Sequence, residues 1–334
     1  MAVRILSQAD VEALLSMESC IDVMAEALGA LARGEATVPL RSLLWKKDRS
    51  GLLGLMPAYL ESPAAFGLKA ITVMPGNHGT EHDAHQGVVL LFEAEHGCLR
   101  AILDATSVTA IRTAAVSGLA TRLLAREDAG DLAILGSGVQ AASHLRAMRA
   151  VRTLRSVRVW SRSREAAQRF AEREGPGAGV PIEVCGTARK AVQGADIICT
   201  TTAAREPVLE GAWIPSGAHV NAVGACIPTA RELDTEAVRR ARLFVDCRES
   251  ALAEAGDFLI PRAEGALTDD HILGELGEVV VGRIPGRRTP DEVTLFESLG
   301  LAIEDLAAAR RIYEKGVALG TGVWVSFGGL REQR

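Results

Sequence analysis

The sequence predicts an α/β protein in which a doubly wound parallel sheet is inserted between the two ends of an α+β domain. The first observation is the length of 334 residues, which suggests two domains at roughly 100–200 residues per domain. The second is that strand-like segments separated by turn residues follow one another before Gly130. The third is that short apolar segments alternate with helical segments after Gly130, as in parallel sheets covered on both faces.

The N-terminal part of the chain is predicted to start with a helix and to continue with strands. Apolar residues at helical spacing extend from Val11 to Leu28, and Gly34 is expected to end this helix. Residues 104–126 also carry apolar residues at helical spacing and predict a second, long helix. Between the two helices, the predicted strands cover residues 42–45, 51–56, 67–73 and 87–92.

The rest of the chain is predicted to form the parallel sheet and to end in a helix. The predicted strands are residues 132–135, 157–160, 196–200, 219–223, 243–245 and 278–281. Residues 140–150 and 165–174 have the composition of intervening helices, and residues 294–315 predict a last helix that returns to the first domain. The predicted domains are therefore residues 1–118 with 313–334, and residues 119–312.

Composition and charge argue against several classes of protein. The 37 basic and 42 acidic residues give a net charge of -5, which disfavours binding to the phosphate backbone of a nucleic acid. No apolar segment approaches the ~18 residues of a membrane span, and Ser7 and Asp10 interrupt the apolar stretch that a signal peptide would need. The six cysteines include no CxxC pair, as expected for reduced thiols. We therefore expect a cytoplasmic protein without a nucleic-acid or membrane partner.

A glycine-rich loop directly follows the predicted strand 132–135 and leads into a predicted helix. In this GxGxxA pattern, Gly136 permits a tight turn, Gly138 lets the backbone approach a pyrophosphate, and Ala141 permits close packing of the helix. The N–H groups at the start of the helix can bind the anion. The loop therefore predicts a Rossmann-type dinucleotide-binding domain. Its predicted cofactor-binding residues are Gly136, Ser137, Gly138, Val139 and Gln140.

The residues after the second predicted strand of the sheet bear on the choice of cofactor. An acid at this point binds the ribose 2′-OH of NAD, whereas an Arg accommodates the 2′-phosphate of NADP. Here the chain has Ser161, Arg162, Ser163 and Arg164, with no acid. The segment favours NADPH as the cofactor and leaves NADH open; the alternative is a solvated basic loop in an Arg-rich chain.

Three basic residues are candidates for binding a small carboxylate substrate. Lys69 lies in an apolar strand-like segment and shares a face with Gly67 and Ile71, where a buried ammonium group is costly unless it meets an anion. The alternative is a lysine on an edge strand that reaches solvent. Small residues surround Arg112 near the start of a predicted helix, which leaves space for a carboxylate. Arg41 is the third candidate, on weaker grounds.

A cysteine and three histidines were considered as further site residues. Cys226 follows the predicted strand 219–223, and ligands bind at the carboxyl ends of parallel strands, so the thiol could face the nicotinamide and the substrate. The alternative is a small core residue. His78, His82 and His85 have spacings that metal sites also use. Because they lie in a turn-rich loop with no Cys or second carboxylate cluster to complete a site, we predict no metal.

Five segments of the chain together resemble the ornithine cyclodeaminase/mu-crystallin family. They are residues 66–69, 109–115, 136–141, 221–224 and 296–300, and they occur in the family's order over nearly the whole chain. The resemblance implies a homodimer assembled through the substrate-binding α+β domain, and a Rossmann domain that binds NAD(H) or NADP(H). It implies that the substrate site includes Arg41, Lys69, Arg112, Met56 and Leu299. It implies that the cofactor also contacts Thr200, Thr201, Val223 and Gly224.

Cys226 departs from part of the family's pattern. Ornithine cyclodeaminases and the related archaeal alanine dehydrogenases have an Asp here, which handles the substrate amine, and a neutral thiol cannot hold an ammonium group. The sequence is therefore more similar to the ketimine reductase branch. This implies NAD(P)H-dependent reduction of Δ1-pyrroline-2-carboxylate or Δ1-piperideine-2-carboxylate to L-proline or L-pipecolate. The imine must be protonated either in solution or by Lys69, Cys226 or a bound water, and the sequence leaves this choice open.

Three alternatives to ketimine reduction remain from the sequence. The first is an amino-acid cyclodeaminase or alanine dehydrogenase of the same family, against which the missing Asp argues. The second is reductive condensation of an amine with a keto acid, which shares the imine chemistry. The third is a non-enzymatic carrier that binds NADPH and a ligand without consuming either, since mu-crystallin is known as a thyroid hormone-binding protein.

Overall fold

The structure is a computed structural model that describes residues 2–77 and 79–329. It divides into two compact units, residues 1–112 with 301–334, and residues 113–300. The first domain thus ends earlier than the predicted residue 118, and the chain returns to it at residue 301 rather than at residue 313. The physical reason for the early return is that the last helix packs on strands of the first unit.

The strands and helices are numbered in chain order. The strands are β1 (Ala2–Leu6), β2 (Ala36–Thr37), β3 (Ser42–Trp45), β4 (Leu52–Glu61), β5 (Ala64–Val73), β6 (His85–Glu93), β7 (Leu99–Asp104), β8 (Asp131–Leu135), β9 (Ser156–Trp160), β10 (Ile182–Val184), β11 (Ile197–Thr200), β12 (His219–Ala222), β13 (Arg242–Val245), β14 (Ile272–Glu275), β15 (Thr294–Glu297) and β16 (Val323–Ser326). The helices are α1 (Gln8–Leu14), α2 (Met17–Arg33), α3 (Ala105–Leu124), α4 (Val139–Val151), α5 (Arg164–Ala178), α6 (Ala188–Val192), α7 (Thr235–Arg240), α8 (Arg248–Glu254), α9 (Gly256–Ala263), α10 (Leu276–Val280) and α11 (Ala302–Leu319). Over the residues that the structure describes, no helix is both long and apolar enough to cross a membrane.

The first unit is a mixed sheet with helices on one face. Its strand order is β16-β1-β7-β6-β5-β4-β2, with β3 also paired to β4, and β4 to β7 form an antiparallel meander. Helix α11 packs on α2 and on β4, β5 and β6. A Cβ on Gly67 would lie 2.9 Å from the Cβ of Leu306, so glycine lets α11 approach β5 closely. This contact identifies the face of β5 that the helix covers.

The second unit confirms the predicted Rossmann-type sheet. All pairings are parallel, in the order β10-β9-β8-β11-β12-β15-β13-β14. The apolar residues of β8 and β11 are fully buried, as expected for central strands of a sheet covered on both faces. The chain order reverses between β8 and β11, and ligands of such sheets bind at the carboxyl ends of the strands beside this reversal.

Three predicted elements were wrong. The predicted strand 278–281 overlaps helix α10, whose start is stabilised by a capping box between Glu275 and Glu278. The predicted helix 294–315 begins as strand β15, which pairs with β12 and β13, and only becomes helical at Ala302. The first predicted helix is two helices, because Ser16 caps a new one by accepting the N–H of Ser19. Short apolar segments fit a strand or a helix equally well, so periodicity alone could not separate them.

Candidate active site

Two of the predicted substrate-binding cations are buried together in the first unit. Strand β5 places Lys69 on the face that α11 covers, and only 3% of the residue is exposed. Helix α3 carries Arg112, of which 4% is exposed. The start of this helix is fixed by Asp104, whose carboxylate accepts the N–H of Ser107 at 2.8 Å. The lysine therefore does not reach solvent, which was the alternative interpretation of the sequence.

Two acids of helix α11 pair with these cations. Lys69 Nζ lies 2.7 Å from Asp305 Oδ2, and Arg112 Nε donates to Asp305 Oδ1 at 2.9 Å. Arg112 Nη1 also donates to Glu304 Oε2 at 2.8 Å. The chain itself thus supplies the anions that the burial of two cations demands, and the four formal charges balance. The sequence analysis missed both acids, although two adjacent acids within the apolar stretch of residues 301–309 are a detectable signal.

Burial changes the titration of this group of residues. It lowers the pKa of Lys69 from 10.5 to about 8, since desolvation outweighs the attraction of Asp305, and the charges of Arg112 and Arg41 lower it further. Burial raises the pKa of Asp305, but the cations Arg112 and Lys69 outweigh it and hold this pKa below its ordinary value of 3.8. Lys69 is therefore a buried ammonium group that can release a proton near neutral pH.

The strand register places other polar and apolar groups on the same face as Lys69. Met56 of β4 lies directly opposite Lys69, and only 6% of it is exposed. Arg41 precedes Ser42, which pairs with Leu55, so the half-buried Arg41 reaches the same level of the sheet as Met56. Three of the predicted substrate-binding residues thus lie in one row across adjacent strands.

His85 is a further residue on this face, which the sequence analysis considered only as a metal ligand. It pairs with Val73, which lies on the same side of β5 as Lys69. The pKa of His85 is lowered by partial desolvation and by the charge of Lys69, although the residue is exposed at the start of β6.

The predicted phosphate-binding loop has the geometry of a nucleotide site. Gly136 has a φ of +130°, and a Cβ there would lie 2.5 Å from Thr201 Oγ1, so the fold itself requires glycine. Gly138 is the N-cap of α4 with a φ of -86°, and a Cβ there would project into open space. Neither packing nor backbone strain explains Gly138; room for a ligand at a helix N-terminus does.

The other predicted cofactor residues lie at the carboxyl ends of neighbouring strands. Thr200 ends β11, and Thr201 follows it with its N–H donated to the carbonyl of Leu135 at 2.8 Å. Val223 and Gly224 come directly after β12, which pairs with β11. Because Leu135 ends β8, these loops adjoin the start of the glycine-rich loop within one unit.

The segment after β9 contains a helix cap and an exposed cation. The hydroxyl of Ser163 accepts the N–H of Ala166 at 3.1 Å and donates to Glu165, so it serves as the N-cap of α5. Ser161 is half-buried. Arg162 is exposed and makes no hydrogen bond or ion pair with the described part of the chain. Ser161 and Arg162 are therefore better placed than Ser163 to meet a 2′-phosphate.

Cys226 and Leu299 both contact the apolar core of the second unit. The half-buried Cys226 donates its S–H to the carbonyl of Val223 at 3.4 Å and lies 3.8 Å from the carbonyl of Ser298. Leu299 is 3% exposed and belongs to the apolar core of the second unit, with its N–H donated to Asp246 at 2.7 Å. Cys226 packs against the same core, so both residues have core neighbours, as in the alternative interpretation of Cys226.

The histidines considered for metal binding are only partly described. His78 lies outside the described residues, and His82 is exposed. Elsewhere in the described chain, potential ligand atoms of Glu93, Glu95 and His96 lie within 4.8 Å of one another. The carboxylate of Glu93 is already bonded to the backbone N–H groups of the turn that follows it. The hydrogen bonds of this turn therefore explain why these three side chains lie close together.

Comparison with known proteins places these sites in a family. The sequence profile of the ornithine cyclodeaminase/mu-crystallin family matches residues 1–319. A mouse protein, ketimine reductase mu-crystallin, is 43% identical over 282 residues, which are 84% of this chain and 86% of that protein. The Δ1-pyrroline-2-carboxylate reductase of Thermococcus litoralis, solved with NADH and L-proline, superposes with a TM-score of 0.94 and 39% identity over 96% of this chain and 99% of that one.

A third relative is named for a different activity. An archaeal alanine dehydrogenase, solved as a dimer with bound NAD, superposes with a TM-score of 0.92 and 33% identity over 98% of this chain and 100% of that one. The resemblance predicted from five sequence segments is thus confirmed over nearly the whole length. The chain belongs to the ornithine cyclodeaminase/mu-crystallin family.

Proposed function

We propose that the protein reduces a cyclic ketimine carboxylate with NAD(P)H, converting Δ1-pyrroline-2-carboxylate or Δ1-piperideine-2-carboxylate to L-proline or L-pipecolate. The observation that carries the proposal is the close similarity to a reductase that was solved with NADH and L-proline. The uncharged Cys226, where an amine-handling acid is expected in cyclodeaminases, favours reduction over deamination. Together with the half-buried Arg41, the cations Lys69 and Arg112 exceed the acids Glu304 and Asp305 by one formal charge, which suits a small anionic substrate.

Each site residue of the first unit has a separate role toward the substrate. Arg41 and Arg112 bind the carboxylate, and the ion pairs with Glu304 and Asp305 hold Arg112 in place before the substrate arrives. Met56 contacts the ring. When bound, NAD(P)H supplies the hydride that adds to C2 of the imine. Lys69 donates a proton to the imine nitrogen, since its pKa of about 8 suits proton transfer near neutral pH.

The second unit binds the cofactor, and we propose that it prefers NADPH. The open space at Gly138 accepts the pyrophosphate. Ser161 and the exposed Arg162 contact the 2′-phosphate, because Arg binds phosphate through two parallel hydrogen bonds. No acid at this point repels that phosphate.

The proposal is tested by following absorbance at 340 nm after adding either imine to purified protein with NADPH or NADH. Rapid oxidation is expected, faster at low concentrations of NADPH than of NADH. Arg162→Ala is expected to reduce that preference about tenfold, since it removes a charge-assisted contact to phosphate. L-Alanine or ornithine with NAD(P)+ should give little turnover. Absence of oxidation with both imines would overturn the proposed function, and faster turnover of alanine would favour an alanine dehydrogenase.

We also propose that the protein is a homodimer that associates through the outer face of the first unit's sheet. This face lies opposite Lys69 and exposes apolar side chains, including Leu44, Leu55 and Phe66. Phe66 is 46% exposed even though its ring lies 4.8 Å from that of Tyr59. An exposed apolar patch of this kind is typical of a protein–protein interface, and the archaeal relative is a dimer.

The dimer is tested by light scattering of the wild type and of Phe66→Asp. The wild type is expected to have twice the chain mass, and the variant should dissociate, since a charge would be buried without a partner. Leu273→Asp is the control, because Leu273 is an exposed leucine of the second unit. A monomeric wild type, or a Phe66→Asp variant that stays dimeric, would refute this interface.

A further inference from the structure

We propose that Glu232 is a positioning residue that holds together the two loops on which the nicotinamide half of the cofactor lies. The inference rests on the proposed function for the identity of the cofactor. Glu232 lies in the loop before α7 and is completely buried. The sequence analysis did not identify it as a site residue. A buried carboxylate is costly unless its lone pairs are satisfied, so its partners are informative.

One carboxylate connects the ends of two adjacent strands. Glu232 Oε2 accepts the hydroxyl of Thr200 at 2.8 Å and the N–H of Gly224 at 2.7 Å. Glu232 Oε1 accepts the N–H and the hydroxyl of Thr202, both at 2.6 Å. Thr200 is the last residue of β11, Thr202 lies in the loop after it, and Gly224 lies in the loop after β12. The side chain therefore sets the spacing of the two loops at the carboxyl edge of the sheet, beside the point where the strand order reverses.

The same loop is also in contact with the phosphate-binding loop. Thr201, between the two threonines that Glu232 holds, donates its N–H to Leu135, and its side chain lies against Gly136. Gly224 has no room for a side chain, since a Cβ would lie 2.7 Å from Glu232 Oε2. A shift of the loop after β11 would therefore disturb the surface between the pyrophosphate and the nicotinamide.

The position of Glu232 is itself fixed by the protein. Asp257 Oδ1 accepts the N–H groups of Glu232 and Leu233, each at 2.8 Å. Burial raises the pKa of Glu232, while the donors from Thr202, Thr200 and Gly224 oppose this. Burial and the neighbouring acids raise the pKa values of Asp257 and Glu297 well above their ordinary range. Glu232 is the member of this group whose oxygens accept four hydrogen bonds, and these favour its charged form.

The arrangement predicts a specific defect for a glutamine at this position. Each oxygen of Glu232 faces one backbone N–H, from Thr202 or from Gly224, and neither donor can rotate away. A glutamine has one oxygen and one NH2 group, so in either orientation an NH2 group meets a backbone N–H. Glu232→Gln must therefore displace one of the two loops, although it has the same shape as the native side chain.

The test compares binding of whole cofactor with binding of its adenosine half. Dissociation constants of the dimeric enzyme for NADPH and for adenosine 2′,5′-bisphosphate are measured by calorimetry for the wild type, Glu232→Gln, Glu232→Asp and Glu210→Gln. Glu210 is the control, an exposed glutamate in the neighbouring loop. Glu232→Gln is expected to bind NADPH at least about tenfold more weakly, as for one unsatisfied buried donor. Its affinity for the bisphosphate should stay unchanged, and Glu210→Gln should match the wild type for both ligands.

A readout of hydride transfer separates positioning from folding. NADPH deuterated at C4 is expected to give a larger isotope effect on kcat in Glu232→Gln, because a misplaced nicotinamide slows the hydride step. Unchanged NADPH affinity, or equal weakening of both ligands, would overturn the inference. If Glu232→Gln does not fold, the inference is tested by the same comparison of NADPH and bisphosphate binding in Glu232→Asp. If Glu232→Gln shows the expected loss of NADPH binding but the wild type reduces neither imine, only the proposed function is overturned. A wild type that binds neither NADPH nor NADH would overturn both proposals.

Discussion

Replacing Lys69 with methionine is expected to lower kcat/KM for the imine by about a thousandfold, because both a charge for the substrate and a proton donor are lost. Methionine has a side chain of similar length, and because it is apolar it fits the same buried site. In the wild type, kcat/KM should fall as pH rises above about 8, where the ammonium group of Lys69 loses its proton. Lys69→Arg, which stays charged, should lose this alkaline decrease while retaining weak activity. Steady-state rates from pH 6 to 10 measure both effects.

The stability of the Lys69→Met variant separates a site residue from a structural one. The native pKa of Lys69 lies below its unfolded value of 10.5, so between these two values the unfolded chain binds more protons and stability rises with pH. Below pH 8 the buried charge therefore opposes folding, by about 3 kcal/mol from the size of the pKa difference. The variant is expected to keep or raise its Tm while losing activity. Lys190→Met, at an exposed lysine, is the control. Near-wild-type activity of Lys69→Met would reject the assignment.

Replacing Asp305 with asparagine is expected to have the largest effect on stability. Asp305 is 1% exposed and pairs with both Lys69 and Arg112, so its loss leaves two buried cations with only Glu304. Removing one partner of a buried ion pair typically costs about 3–5 kcal/mol of the free energy of unfolding. The chemical denaturation midpoint and Tm should both fall.

The pH dependence of this variant gives a second measurement. Because Asp305 raises the pKa of Lys69, its loss should move the alkaline decrease in kcat/KM to lower pH. The pKa of Asp305 is itself lowered in the folded state, so its stabilising contribution is present above pH 3.8 and is lost as pH falls through the lowered value. Asp291→Asn, at an exposed aspartate, should change neither property. A wild-type Tm and an unchanged alkaline decrease would contradict this account of the buried ion pairs.

Features that depend on neighbouring residues were predictable from the chain. The strand before Gly136, the glycine-rich loop and the helix after it form one continuous segment, so pattern and turn chemistry identify them together. The alternation of Lys69 with its strand neighbours likewise predicted a shared, apolar face. The errors at residues 278–281 and 294–297 concern short apolar segments, for which local pattern does not separate a strand from a helix.

What neutralises the buried cations depends on contacts between distant parts of the chain. Arg112 and Asp305 are 193 residues apart and meet because α11 returns to the first unit and packs on its sheet. Glu232 likewise reaches the ends of β11 and β12 only through the folded path of its loop. The sequence could show that a buried Lys69 needs an anion, because desolvation of a charge is a local property. Which acid supplies it depends on long-range packing, and only the folded structure could identify Asp305.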